Sequence, residues 1–177
     1  MQKKPYSNLA ERVASFLIIL LAVLEDQLSK QWAIMALKPI KTMPVIEGVF
    51  HFTYRENTGA AFSLFSAPDE RWIFLTISSV AIVGMTIYLF AARQPSGLTC
   101  CSLAMIIGGG IGNMIDRLAN GFVVDFIDVR IIHFPVFNMA DCFVCIGTGL
   151  LLLAVLLEWR NEGKATVLPD DADKDNG

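Results

Sequence analysis

Residues 72–92 read WIFLTISSVAIVGMTIYLFAA, an apolar stretch without one charged side chain. About 20 mostly apolar residues suffice to cross a bilayer as a helix, so this stretch predicts a transmembrane span. The rest of the chain repeats the pattern. Phe137–Trp159 is mostly apolar, its charges Asp141 and Glu158 lying near the two ends, and its half Leu150–Leu157 is almost uniformly aliphatic. Leu98–Ile115 is shorter, with Gly108, Gly109, Gly110 and Gly112 near its end. Small residues let helices approach closely in lipid, which predicts a place in the bundle centre for this segment. The first span is less clean: Val13–Leu24 is apolar, but Glu25 and Asp26 follow, with Lys30 one turn further on. Continuing the helix to about Trp32 gives a membrane-length element with Asp26 and Lys30 on one face, where they pair. Lys3, Lys4 and Arg12 before this run resemble the start of a signal peptide, yet no small-residue cleavage site follows. The expected fold is an all-α membrane protein. It has four transmembrane helices (about 13–32, 72–92, 98–115 and 137–159) and a small β-rich, amphipathic extracytoplasmic portion.

Composition agrees. The hydrophobic share is 54% and the mean hydropathy +0.54, above the roughly 45–50% apolar usage of soluble domains. One domain, residues 1–163, is expected, followed by an acidic disordered tail over 164–177. A net charge of −3 without a basic stripe argues against nucleic acid as a partner. Cys100, Cys101, Cys142 and Cys145 all lie inside apolar segments, where free cysteine behaves as a small hydrophobe. The Cys142–Cys145 spacing is half of a metal motif, but His51 and His133 are the only histidines, and no metal site is expected. Lys and Arg divide evenly between the two sides of a four-span chain, so charge alone does not orient it. Lys3, Lys4 and Arg12 tilt the reading toward a cytoplasmic N-terminus, which for four spans places the C-terminus there too.

Two connecting segments read as β-structure. In Gly48–Arg55, Phe50, Phe52 and Tyr54 alternate with His51, Thr53 and Arg55, the period-two pattern of a strand. The aromatics form a packing face or an anchor at the membrane surface. Phe122–Val129 is the second such piece. Extended backbone cannot lie bare in lipid, so both pieces should cover the bundle at one membrane surface, where four spans place both loops. Trp72 and Trp159 suit an interfacial aromatic belt.

Polar residues gather in five clusters: Asp26-Gln27-Leu28-Ser29-Lys30, Glu56–Ser63, Gly112–Arg117, Val123-Val124-Asp125-Phe126 and Phe137-Asn138-Met139-Ala140-Asp141. Carboxylates beside lipid are expensive and mark functional sites. Asp125 and Asp141, brought together, suit acid–base chemistry, because two close carboxylates do not both ionise readily. Plainer roles compete. Asp141 could cap the last helix, and Asp125 could be an exposed turn residue paired with Arg117 or Arg130. Asp128 competes with Asp125, although at an offset of three in a strand the two point to opposite faces. Asn57, Asn113 and Asn138 divide between capping and substrate binding. Asp26, Lys30 and Asp116 read as structural, and Arg117 as a fork for substrate oxygens.

In order and spacing, these clusters resemble the lipoprotein signal peptidases, the type II signal peptidases of bacteria, from the first helix through the fourth. The resemblance implies a four-helix inner-membrane aspartic endopeptidase with its active site at the extracytoplasmic surface, working without a cofactor and expected to be monomeric. Its substrate is a diacylglyceryl-modified prolipoprotein in the membrane lipid, cut before the lipid-bearing cysteine. The catalytic pair maps onto Asp125 in Val-Val-Asp-Phe and Asp141 in Phe-Asn-Met-Ala-Asp, which selects Asp125 over Asp128. Supporting residues map onto Asn57 with Gly59 beside it, Asn113, Arg117 and Asn138, and structural ones onto Asp26, Lys30 and Asp116. Cys142 stands where serine is commoner. Two other readings are a small proton-coupled transporter using the acidic residues as a relay, and a noncatalytic scaffold binding a partner helix around Gly109.

Overall fold

Three consecutive glycines organise the bundle. In the computed structural model, which describes residues 9–59, 68–91 and 95–166, the helices are Leu9–Leu37 (α1), Pro68–Ala91 (α2), Gly97–Ala119 (α3) and Met139–Thr166 (α4). The helix α3 packs against all three others. A Cβ on Gly108 would meet Ala22 and the Ile19 backbone of α1; one on Gly109 would meet the Ala140 carbonyl and Val144 of α4; one on Gly110 would meet Ile82 of α2. Each glycine thus opens one helix–helix contact, and the expected central place of the glycine-rich segment is found. The start of α3 is fixed by Ser96, whose Oγ accepts the Thr99 N–H at 3.2 Å.

On α1, Ser15, Ala22, Asp26, Lys30, Ala33 and Leu37 are buried, a stripe at helical spacing. Leu17, Leu20, Leu21, Leu24 and Leu28 are exposed. Polar groups inside and leucines outside invert the order of a water-soluble helix. Among the described residues, Gly97–Ala119 and Met139–Asn161 are long and apolar enough to cross a membrane, and Leu75–Ala91 is a shorter apolar helix. Trp72 and Trp159 are exposed.

The strands are Thr42–Ile46 (β1), Phe50–Asn57 (β2) and Val123–Val129 (β3), in an antiparallel sheet of order β1-β2-β3. The predicted β-pieces are therefore found, paired with each other, and joined by a strand the sequence reading left out. Pro44 disguised β1: proline interrupts a strand pattern but is tolerated on an edge. The turn into β2 passes through Gly48 at φ +70°, a left-handed conformation suited to glycine. Phe52 stacks edge-on against Trp32 of α1 at 5.2 Å and lies 6.4 Å from Phe126 of β3. Tyr54, Val124 and Phe126 bury themselves on Ala33 and Leu37. The aromatic alternation is thus mainly a packing face that sets the sheet on the C-terminal end of α1. Residues 164–166, expected in the tail, continue α4, and residues 167–177 lie outside the described residues.

Candidate active site

The strand β3 and the start of α4 are tied together by backbone. Ile127 and Phe137 form an isolated bridge, and the Phe137 carbonyl accepts the N–H groups of Phe126 at 3.0 Å and Ile127 at 2.8 Å. This fold-back brings Asp125 beside Asn138 and Asp141. Asn138 joins the two aspartates: its Nδ2 donates to Asp125 Oδ1 at 2.7 Å, and its Oδ1 accepts the Asp141 N–H at 3.0 Å. In return, Asp141 Oδ2 accepts the Asn138 N–H at 3.1 Å. That exchange is a capping box, so Asp141 does cap α4, but its other oxygen is used elsewhere. Asn113 Nδ2 of α3 donates to Asp141 Oδ1 at 2.9 Å, and Asn57 Nδ2 of β2 donates to Asp125 Oδ2 at 2.9 Å. Each of the three asparagines expected to cap or to bind substrate donates to one of the two carboxylates, and two of them also cap: Asn138 at the start of α4 and Asn57 at the turn to Gly59.

Asp125 is 2% exposed, which overturns its reading as an exposed turn residue. Its carboxyl is pushed up to about 6, chiefly by burial and further by the Asp141 charge, against the opposing pull of the Asn57 and Asn138 amides. Three residues on, Asp128 goes the other way. Burial pushes it up, but the Arg130 and Thr53 hydrogen bonds and the Arg130 charge together hold it below the usual carboxylate range. Arg130 Nε sits 2.8 Å from Asp128 Oδ2, and Thr53 donates at 2.7 Å. One strand therefore carries one carboxyl suited to hold a proton and one held ionised.

Behind the pair lies a buried polar knot. Lys30 Nζ lies 2.8 Å from Asp26 Oδ2, 3.0 Å from Asp116 Oδ2 and 2.9 Å from Asn113 Oδ1. The predicted Asp26–Lys30 pair is thus present, fully buried and shared with Asp116. Gln27, not singled out in the sequence, donates to Asp26, Asp116 and the Gly112 carbonyl at 3.2 Å each. Only its place in the first polar cluster, one residue from Asp26, pointed to it.

Asp125, Asp141, Asn57, Asn113 and Arg117 all line one cleft of about 1760 Å³. The remaining lining is largely apolar, from Leu75, Ile82 and Met85 of α2 and Val144 and Ile146 of α4. Arg117 donates to the Gly59 carbonyl at 3.2 Å and interacts electrostatically with Asp141 and Asp125. Gly59 N–H in turn donates to Asn57 Oδ1 at 3.1 Å. Residues 60–63 of the second polar cluster lie outside the described residues. Among the described residues no group of His, Cys, Asp and Glu could hold a metal ion. The acidic residues meet in one network rather than at several depths, which removes the geometric basis for a proton relay.

The family model for signal peptidase (SPase) II matches residues 18–157. The lipoprotein signal peptidase of Trichormus variabilis is 46% identical over 138 residues, covering 77% of this chain and 85% of that protein. The lipoprotein signal peptidase of Halothermothrix orenii is 41% identical over 147 residues, covering 83% and 96%. A solved structure described as a bacterial membrane enzyme, determined by the in meso method at 2.3 Å, superposes with a TM-score of 0.76. It is 29% identical and is matched over 91% of this chain and 96% of its own. The match over residues 18–157 and the relatives at 46% and 41% identity show that the chain, with Asp125 and Asp141 joined through Asn138 in its cleft, belongs to the signal peptidase II family and is an aspartic peptidase.

Proposed function

We propose that this protein cleaves the signal peptide from diacylglyceryl-modified prolipoproteins, before the lipid-bearing cysteine, with Asp125 and Asp141 as the catalytic pair. The observation that carries the reading is the buried Asp125, joined to Asp141 through Asn138 in the wall of a mostly apolar cleft. The apolar walls from α2 and α4 suit a signal-peptide helix and acyl chains. The amides and Arg117 at the ends of α3 and α4 suit the peptide backbone at the scissile bond.

Burial in the strand makes Asp125 the member that carries the shared proton, which leaves Asp141 as the base. Asp141 takes a proton from water as the water oxygen bonds to the scissile carbonyl carbon. Asp125 gives its proton to the carbonyl oxygen, which forms a tetrahedral diol. The carbon–nitrogen bond then breaks as the nitrogen takes the proton from Asp141. A diol hydroxyl returns its proton to Asp125, leaving a carboxyl and an amine. Water is the nucleophile, and the two aspartates end as they began.

All four helices span the membrane in this reading. At about 1.5 Å per residue, the length of α1 exceeds the ~30 Å hydrocarbon core, and its outward leucines face lipid. Both termini lie in the cytoplasm of a bacterial cell, and the sheet covers the extracytoplasmic end. The protein acts as a monomer. A comparison of one precursor with and without its diacylglyceryl group tests the substrate class. Turnover of the lipidated form alone is expected, and equal turnover of both would remove the lipid from the reading.

A further inference from the structure

We propose that Lys30 is a positioning residue for this reaction, its ammonium fixing the separation of the segments that carry Asp125 and Asp141. The inference rests on the catalytic pair proposed above.

Lys30 is 2% exposed, and its three ammonium hydrogens meet three acceptors on two helices: Asp26 of α1 and Asn113 and Asp116 of α3. What those acceptors hold is the informative part. Asp26 uses its other oxygen, Oδ1, to accept the N–H of Ala140 at 3.0 Å. Asp116 Oδ2 accepts the N–H of Val124 at 3.1 Å. Ala140 directly precedes Asp141, and Val124 directly precedes Asp125. Each carboxylate on the ammonium therefore grips the backbone one residue before a catalytic aspartate. Asn113 adds a third arm, taking the Lys30 hydrogen on Oδ1 and donating from Nδ2 to Asp141. Four elements, α1, α3, β3 and α4, are thus fixed to one cation that does not line the cleft.

The arrangement is more than a buried salt bridge that holds the bundle. Neutral side chains could do that as well or better. What an ammonium adds is a single point from which both aspartate backbones are set, together with a positive charge behind the pair. The charged or titratable groups around Asp125 are Asp26 and Lys30 from α1, Arg55 opposite it on β2, Asp116 and Arg117 from α3, and Asp141 with Cys142 from α4. Among these, the Lys30 charge favours the ionised form of Asp125. Removing that charge moves the loss of the Asp125 proton to higher pH.

The test is steady-state cleavage of a lipidated prolipoprotein by the full chain in detergent, wild type beside Lys30→Met, as a function of pH. Misplacement of reacting groups by about an ångström costs on the order of 100-fold. The expected result is a kcat lower by about that factor, a KM within about threefold, and an alkaline limb displaced to higher pH. Asp116→Asn keeps an oxygen for the Val124 N–H and removes one negative charge, so it should displace the same limb to lower pH. This second variant decides the matter if Lys30→Met does not fold. A folded Lys30→Met with wild-type kcat and profile would overturn the proposal, as would an Asp116→Asn limb that stays in place. Full activity in Asp125→Asn or Asp141→Asn would instead remove the catalytic pair on which the proposal rests.

Discussion

At the scale of single residues, the decisive contrast is between Asp125 and Asp128 on one strand. Asp125 accepts the neutral amides of Asn57 and Asn138 and is pushed up to about 6 by burial, whereas Asp128 has Arg130 beside it and is held low. In the mechanism proposed above cleavage needs the proton on Asp125, so kcat/KM is expected to fall as pH rises through about 6 in the free enzyme. A rate that rises through that range would contradict it. The same shift affects stability. A carboxyl raised in the folded state leaves stability unchanged below the ordinary carboxylate range and lowers it as pH climbs toward about 6. At about 1.4 kcal/mol per unit the ceiling is near 3 kcal/mol. Relative to wild type, Asp125→Asn should therefore gain in thermal midpoint between pH 4 and 7, and a constant difference would argue against the shift. The motifs singled out Asp125 and Asp141 in the sequence, and the fold brings the two into one cleft. The roles of the asparagines were not legible there, because which oxygen an amide meets depends on contacts from distant segments: Asn57 reaches Asp125 across the sheet, and Asn113 reaches Asp141 from another helix. Lys30 was legible as a partner of Asp26 four residues away, but its contact with Asp116 required the packing of α1 on α3.

At the scale of elements, α3 decides how closely the helices approach. A Cβ at Gly109 would run into the Ala140 carbonyl at the start of α4, one residue before Asp141. Gly109→Val should lower stability by about 1–3 kcal/mol, the usual cost of overpacking, and should reduce cleavage along with it. Thermal unfolding in detergent beside the activity assay checks this. A stable variant that still loses activity would show that Gly109 acts through α4 position rather than stability. Glycine spacing announced close packing in the sequence, whereas the identity of each partner helix came only from the fold. The sheet was legible where aromatics alternate in β2, but β1 escaped because Pro44 interrupts it. Its pairing with β2 follows from the turn at Gly48, a local signal that outweighs the proline on an edge strand.

For the molecule as a whole, the described fold places an apolar cleft between α2 and α4, with α3 contributing to its wall and both aspartates in its lining. Among the described residues no substantial packing of α2 on α4 interrupts it, so the cleft has room for a helical segment with attached acyl chains to enter from the side. Cys145 of α4 is exposed and lines this cleft. A bulky thiol adduct there should block the lipidated precursor, with Cys145→Ser insensitive to the reagent. Unchanged turnover after complete labelling would place the substrate elsewhere. The central claim is that Asp125 and Asp141 act as one pair, and the most direct test is cleavage of a diacylglyceryl-modified prolipoprotein by purified protein, comparing wild type with Asp125→Asn and Asp141→Asn. Each acid–base role contributes about 10² to 10⁴-fold, so both folded variants should lose activity by at least about 100-fold. Cleavage near the wild-type rate by either folded variant would contradict the account.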